Sequence, residues 1–308
     1  MTEREAVGGS EELQPEASGA GAVVVGIDGS DSSSTAARWA AFEATRRQVP
    51  LRIVHAVPPP PGGFPSDLAW AAIDWQARSQ PLLDTTTEFL HQLHPGLTIQ
   101  SEVLVGRPAA AALNKEAESA ELLVIGSRGR GGFATLLLGS TAVQVLETLA
   151  APVVIVGPMV ARSATADTGP VVVGVDGSAA SQWALRFAAS EAALRATTVT
   201  AVYAWEPPPH PGLDALRAAS GVDWSVLARH ATTMLEDELA RVRGEFPHVQ
   251  FTGQAVAVQP VQALLDASKE AQLLVVGSRG RGALGGLIMG SVSHSVVRAA
   301  HCPVVVLR

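Results

Sequence analysis

The stretch Val23-Val-Val-Gly-Ile-Asp-Gly-Ser30 decides the fold, because the chain contains it twice. It returns as Val171-Val-Val-Gly-Val-Asp-Gly-Ser178, and seven of the eight positions are identical. In both copies an apolar run of strand length ends in glycine and aspartate, and a helix-like stretch follows. The copies lie a domain length apart, so the repeat predicts a tandem duplication rather than a solenoid of short repeats.

Each half alternates short β-branched runs with longer helix-like stretches. The strand-like runs of the first half are 22–27, 51–57, 98–105, 121–125 and 152–156, and the helix-like stretches are 33–48, 74–93, 108–120 and 140–150. Strands that are apolar along most of their length are typical of a sheet covered by helices on both faces. We therefore predict two tandem, doubly wound, Rossmann-like α/β domains with mostly parallel sheets.

Composition sets the expected domain boundaries. Residues 1–20 are acidic and rich in Gly, Ser and Glu, so we expect a disordered tail. The first domain is then expected at 21–157, a linker at 158–169 and the second domain at 170–308.

Charge and hydropathy exclude several classes of protein. The formal charge of −7 argues against nonspecific binding to nucleic acid, which depends on clustered positive charge. The apolar runs are shorter than the ~20 residues of a membrane-spanning helix, so no membrane insertion is expected. The acidic start lacks the pattern of a secretory signal, which favours a cytoplasmic location. The single cysteine, Cys302, permits no intrachain disulfide and is expected to be buried and inert.

A glycine-rich loop is predicted after the fourth strand of each half. It reads Gly126-Ser-Arg-Gly129, nine residues and then Gly139-Ser140, and the same spacing joins Gly277-Ser-Arg-Gly280 to Gly290-Ser291. Glycines let backbone N–H groups approach a ligand, and a helix start offers free donors, so such a loop can cradle phosphate. Alternatively, the glycines only shape the connection and the serine only caps its helix. No Gly-Lys-Ser/Thr follows, which favours binding without rapid phosphoryl transfer.

The polar residues nearest this loop leave two interpretations open. Asp28 and Asp176 either contact a ribose hydroxyl or a phosphate-bound Mg²⁺, or serve the turn and helix cap. Arg128 and Arg279 either contact phosphate or are simply solvated. His55 is interpreted as a packed histidine, because its counterpart is tyrosine. No catalytic constellation and no metal site built from protein ligands is predicted.

Together, the first-strand ending Val-Gly-Ile-Asp-Gly-Ser and the Gly-x2-Gly-x9-Gly-Ser loop resemble the universal stress protein family, in its tandem and ATP-binding members. The resemblance covers 21–308. It implies five-stranded parallel sheets of order 3-2-1-4-5, ATP bound with Mg²⁺, a role in stress or dormancy adaptation, and a homodimer through the strand-five edges. Whether the two halves pair within one chain or between chains stays open.

The resemblance also implies the contacts of the nucleotide. The aspartate after the first strand belongs to the ribose or metal region, the residue at the end of the second strand contacts adenine, and the glycine loop holds ribose and phosphates. In the first half these positions are Asp28, Ala56, Ile125, Gly126, Gly129, Gly139, Ser140 and Thr141, and the loop arginine Arg128 is a ninth candidate taken from the sequence rather than from the resemblance. In the second half they are Asp176, Ala204, Val276, Gly277, Gly280, Gly290, Ser291 and Val292, and Arg279 is the ninth candidate, again taken from the sequence.

One departure from the family pattern distinguishes the halves. Gly106-Arg-Pro108 matches the family's Gly-x-Pro turn, whereas the second half has Val258-Gln-Pro260. We therefore expect the second site to bind more weakly. The leading functional hypothesis is a nucleotide-responsive regulatory module that reports to an unidentified protein partner. The alternatives are a slow ATPase or autokinase at the same sites and a nucleotide-free dimerisation scaffold.

Overall fold

A computed structural model describes residues 21–59, 73–129, 138–148, 151–160, 168–205, 224–280 and 289–308. The predicted acidic tail at 1–20 and most of the predicted linker lie outside the described residues. None of the described helices combines the length and the apolar character that crossing a membrane requires.

The two halves share one order of elements. The first contains β1 (Val23–Gly26), α1 (Asp31–Arg47), β2 (Leu51–Val57), α2 (Trp75–Leu93), β3 (Ile99–Val105), α3 (Ala109–Ala117), β4 (Leu122–Gly126), α4 (Ser140–Thr148) and β5 (Val153–Val156). The second contains β6 (Val171–Gly174), α5 (Ala179–Leu194), β7 (Val199–Ala204), α6 (Trp224–Glu245), β8 (Phe251–Val256), α7 (Pro260–Ala267), β9 (Leu273–Gly277), α8 (Ser291–Ala299) and β10 (Val304–Leu307).

The predicted α/β fold is confirmed in both halves. The first half orders its strands β3-β2-β1-β4-β5, and the second orders them β8-β7-β6-β9-β10, which is the same 3-2-1-4-5 arrangement. All pairings within each half are parallel. Strand order reverses between the first and fourth strands, so a crevice forms at their carboxyl ends.

The two sheets join into one ten-stranded sheet within a single chain. β5 and β10 pair antiparallel, with Val304 opposite Ile155 and Val306 opposite Val153. This pairing corrects the expected homodimer through the strand-five edges, because each of these edges already has the other as its neighbour. Among the described strands, β3 and β8 form the two outer edges of this sheet.

Two helical layers cover the sheet, and each layer crosses the seam between the halves. Leu83 of α2 and Leu239 of α6 lie in one apolar cluster, while Leu113 of α3 and Leu264 of α7 lie in the other. Small residues on α1 and α5, such as Ala40 and Ala188, are fully buried and let these helices pack closely on the sheet.

Four charged side chains form a buried ring where α1 meets α5. Within α1, Arg47 Nε donates to Glu43 at 3.0 Å, and within α5, Arg195 contacts Glu191 at 3.1 Å. Across the seam, Arg195 donates to Glu43 at 2.7 Å and Arg47 pairs with Glu191. Each charge in this ion ring therefore lies between two opposite charges. Burial alone would lower the pKa of Arg47, but these carboxylates outweigh burial and raise it.

Candidate functional site

Each half has a cavity at the carboxyl ends of its strands. The first cavity has a volume of about 680 Å³ and the second about 390 Å³. All nine residues predicted for the first site line the first cavity: Asp28, Ala56, Ile125, Gly126, Arg128, Gly129, Gly139, Ser140 and Thr141. All nine predicted for the second site line the second: Asp176, Ala204, Val276, Gly277, Arg279, Gly280, Gly290, Ser291 and Val292.

The aspartate after the first strand organises the turn into the helix. Asp28 Oδ1 accepts hydrogen bonds from the backbone N–H of Ser30 at 3.0 Å and from its hydroxyl at 2.6 Å. Ser30 in turn caps α1, since its Oγ accepts from Ser33 N at 3.2 Å. The second half repeats the turn, with Ser178 N donating to Asp176 at 2.9 Å. One oxygen of each aspartate therefore serves the turn.

The other carboxylate oxygen lies against the glycine loop. A Cβ placed on Gly129 would lie 2.6 Å from Asp28 Oδ2, and one on Gly280 would lie 2.4 Å from Asp176 Oδ2. These distances are shorter than van der Waals contact, so only glycine lets the loop approach the aspartate this closely. The aspartate and the glycine loop thus form one wall of each cavity.

A backbone hydrogen bond joins the start of the fourth helix of each half to the beginning of the glycine loop. Gly139 N donates to the carbonyl of Ser127 at 2.7 Å, and α4 begins at the next residue, Ser140. Gly290 makes the same 2.7 Å bond to Ser278 before α8. Each cavity is therefore lined by the first residues of a helix, where backbone N–H groups lack intrahelical partners and the helix dipole favours an anion.

Two buried polar atoms of the first loop have no hydrogen-bond partner among the described residues: Ser127 Oγ and Arg128 Nε. The backbone around them is satisfied, because Ser127 N donates to Val156 O at 3.0 Å and Arg128 N donates to Ser32 Oγ at 3.3 Å. A buried guanidinium nitrogen without an acceptor is costly, and a bound anion would remove that cost. Arg128 lines the first cavity, so its geometry fits a phosphate-bearing ligand.

The sequence reasoning missed one wall of the first cavity. Trp75, Arg78, Ser79 and Leu82 line it from α2. Their spacing predicts a helix but does not show which turn of that helix meets the crevice. His55 also lines the cavity, half-buried, and its Nδ1 lies 2.8 Å from the carbonyl oxygen of Ile27.

The second cavity differs from the first in size and polarity. Among the described parts of the chain, no residue of α6 contributes to it. Val292 replaces Thr141, so the helix start offers one hydroxyl fewer. In the turn after the third strand, Gly106 has φ +83°, whereas Val258 has no positive φ and is 43% exposed. The backbone of this turn therefore differs between the halves, and the expected difference in affinity stays a prediction.

Within the described ranges, neither cavity is lined by a cluster of side chains that could cage a metal ion, and neither is lined by the single thiol of the chain. No group of three or more His, Cys, Asp or Glu side chains in the described ranges is arranged to hold a metal ion. Cys302 is 2% exposed and lies in the apolar core, where burial raises the pKa of its thiol to about 12. What both cavities share is an aspartate, a glycine loop and a helix start.

Comparisons with known proteins agree on one family. The model of the universal stress protein family matches residues 20–157 and 168–308. A universal stress protein of Mycobacterium tuberculosis strain H37Rv is 36% identical over 297 residues, covering 93% of this chain and 96% of that protein. One of Mycolicibacterium smegmatis is 32% identical over 296 residues, with the same coverage.

A solved structure supports the fold across both halves. The crystal structure of a universal stress protein from Archaeoglobus fulgidus superimposes with a TM-score of 0.66 at 21% identity, covering 93% of this chain and 98% of that one. At this identity the similarity concerns the arrangement of the two domains and not their ligands.

Proposed function

The chain belongs to the universal stress protein family, and from this premise we propose that each half binds ATP with Mg²⁺. The protein then acts as a nucleotide-responsive regulatory module in stress or dormancy adaptation, and its occupancy signals the energy state of the cell to a protein partner. The observation that carries the proposal is the buried Nε of Arg128, which has no hydrogen-bond partner among the described residues and lies beside a glycine loop and a helix start.

In this proposal each part of the nucleotide contacts a different part of the first cavity. Phosphates belong at the start of α4 and at Arg128, where N–H donors and positive charge meet. The ribose belongs near Asp28, and the base belongs at Ala56, where β2 ends. Magnesium is usually held by phosphate oxygens together with one or two carboxylates, and Asp28 is the carboxylate that lines this cavity.

We further propose that the second site binds ATP more weakly than the first. Its cavity is smaller, and Val292 removes a hydroxyl from the helix start. Val258 also changes the backbone of the turn that leads to Pro260, which lines the second cavity. Fewer polar groups around the phosphates leave fewer hydrogen bonds to offset their dehydration.

The nucleotide content of the purified protein tests the proposal. The protein is denatured, and the released adenine nucleotide is quantified per chain before and after incubation with Mg-ATP. We expect ATP in both sites, with the second filled only at higher ATP concentration, and little ADP after hours. Accumulation of ADP would favour the slow ATPase over the binding module. If no nucleotide is released, the dimerisation scaffold would be the remaining hypothesis.

Matched glycine variants assign the bound nucleotide to its site. Gly129→Leu and Gly280→Leu each place a side chain against an aspartate, so each is expected to abolish binding in its own half. Gly96→Leu is the control, because nothing lies within 4 Å of a Cβ at that position. If Gly129→Leu binds as much ATP as Gly96→Leu, the first cavity is not the site.

A further inference from the structure

His55 has one ring nitrogen held by the protein backbone. Its Nδ1 lies 2.8 Å from the carbonyl oxygen of Ile27. A carbonyl oxygen can only accept a hydrogen bond, so Nδ1 must carry the hydrogen. In an uncharged imidazole the hydrogen on Nδ1 leaves Nε2 as an acceptor with a lone pair. The backbone of β1 thus fixes the tautomer of this ring.

The second ring nitrogen is available to a ligand. His55 lines the first cavity beside Ala56, and it is only partly buried. Within the described ranges no residue forms a hydrogen bond with Nε2 of His55. The corresponding residue of the second half, Tyr203, does not line the second cavity. An imidazole acceptor at the end of the second strand is therefore a feature of the first site alone.

We propose that His55 is a specificity-determining residue of the first site, where its Nε2 accepts a hydrogen bond from the exocyclic amine of the adenine base. This inference rests on the proposed function, because it takes the base to lie at the end of β2. An amine donates, so it satisfies Nε2 when the ligand displaces water from the cavity. A base without a donor at that position leaves a dehydrated acceptor without a partner, which weakens binding.

Two histidine replacements separate the two ring nitrogens. The amide nitrogen of asparagine takes the place of Nδ1, so His55→Asn keeps a donor for Ile27 and removes the acceptor in the cavity. The end of a glutamine side chain reaches the position of Nε2, so His55→Gln keeps a polar acceptor there. If His55 only supports the fold, His55→Asn should retain the preference for ATP at least as well as His55→Gln. If His55 contacts the base, His55→Gln should retain more of this preference than His55→Asn.

The test compares ATP with purine riboside triphosphate, which has hydrogen in place of the 6-amino group. Dissociation constants are measured at about pH 8 in a Gly280→Leu background that blocks the second site. The starting protein is expected to prefer ATP by about tenfold, the value of one hydrogen bond. His55→Asn should lose most of this preference, and His55→Gln should retain more of it.

The outcomes distinguish this inference from the proposed function. If ATP binds but His55→Asn keeps the full preference, the role of His55 is overturned and the nucleotide site stands. If the protein binds neither triphosphate, the proposed function fails and the inference fails with it. Tyr203→Phe, made in the same background, is the control and should leave the preference unchanged.

Discussion

Burial decides the chemistry of the single thiol. Cys302 precedes β10 and is 2% exposed, and burial raises its pKa to about 12 because the interior disfavours the thiolate. We expect iodoacetamide to leave native Cys302 unmodified at about pH 8 and to modify it fully in denaturant. Mass spectrometry after timed labelling measures this, and stoichiometric labelling of the native protein would contradict it.

The raised pKa of Cys302 also determines the direction in which the free energy of unfolding changes with pH. The folded-state pKa of the Cys302 thiol is above its ordinary value of 9.0, so the neutral thiol contributes stability that is fully present below about pH 9. This contribution is lost as the pH rises toward about 12, because the unfolded state ionises first. The free energy of unfolding should therefore fall over this interval more in the parent protein than in Cys302→Ala.

At the scale of elements, the cap of α1 links helix stability to the site. Ser30 Oγ accepts from Ser33 N at 3.2 Å and donates to Asp28 at 2.6 Å. Ser30→Ala should lower the free energy of unfolding by about 1 kcal/mol and also weaken ATP binding, because Asp28 Oδ1 loses the hydroxyl of Ser30 and keeps its backbone N–H. Ser34→Ala is the matched control, since this exposed hydroxyl only contacts the Ser30 carbonyl at 3.1 Å. Equal effects in both variants would refute the cap.

The elements themselves were largely predictable from the sequence. The apolar run at 51–57 is β2 without change, and the helix predicted at 33–48 is α1 at Asp31–Arg47. The two-residue shift arises because Ser30 caps the helix, so the polar residues after it already belong to the first turn. The glycine loops were predictable for a related reason, because the first two glycines of each repeat approach their neighbours more closely than a Cβ would permit.

What the sequence did not reveal depends on contacts between distant elements. Glu43 and Arg47 have the spacing of an ordinary surface pair on one helix, and Glu191 and Arg195 repeat it. Only the pairing of β5 with β10 brings the two pairs together and buries them. Arg78 and Ser79 were missed for the same reason, since the crossing of α2 over the sheet determines which turn faces the crevice.

At the scale of the whole molecule, the ion ring joins the two halves on the face of the sheet that α1 and α5 cover. The Arg195 and Glu43 side chains are 2% and 0% exposed, so water can solvate neither charge unless the seam opens. Removing one member of a buried ion pair costs about 3–5 kcal/mol, and about 3 kcal/mol is expected for Arg195 because Glu43 keeps Arg47 at 3.0 Å and Arg46 at 3.3 Å. Arg195→Met should therefore strongly destabilise the chain and speed hydrogen exchange at the amides of β5 and β10.

Two further variants distinguish the effect of breaking the ion ring from the general effect of removing an arginine: a control on the same helix and a double variant. Arg186 lies on α5 in an exposed pair with Glu245 at 3.0 Å, so Arg186→Met should cost at most about 1 kcal/mol. Glu43→Met combined with Arg195→Met removes one opposite pair and leaves Arg47 with Glu191. This double variant should be more stable than Arg195→Met alone, because no net charge stays buried. If denaturant unfolding gives the same loss of stability for Arg195→Met and Arg186→Met, apolar contacts hold the seam and the ion ring contributes no stability.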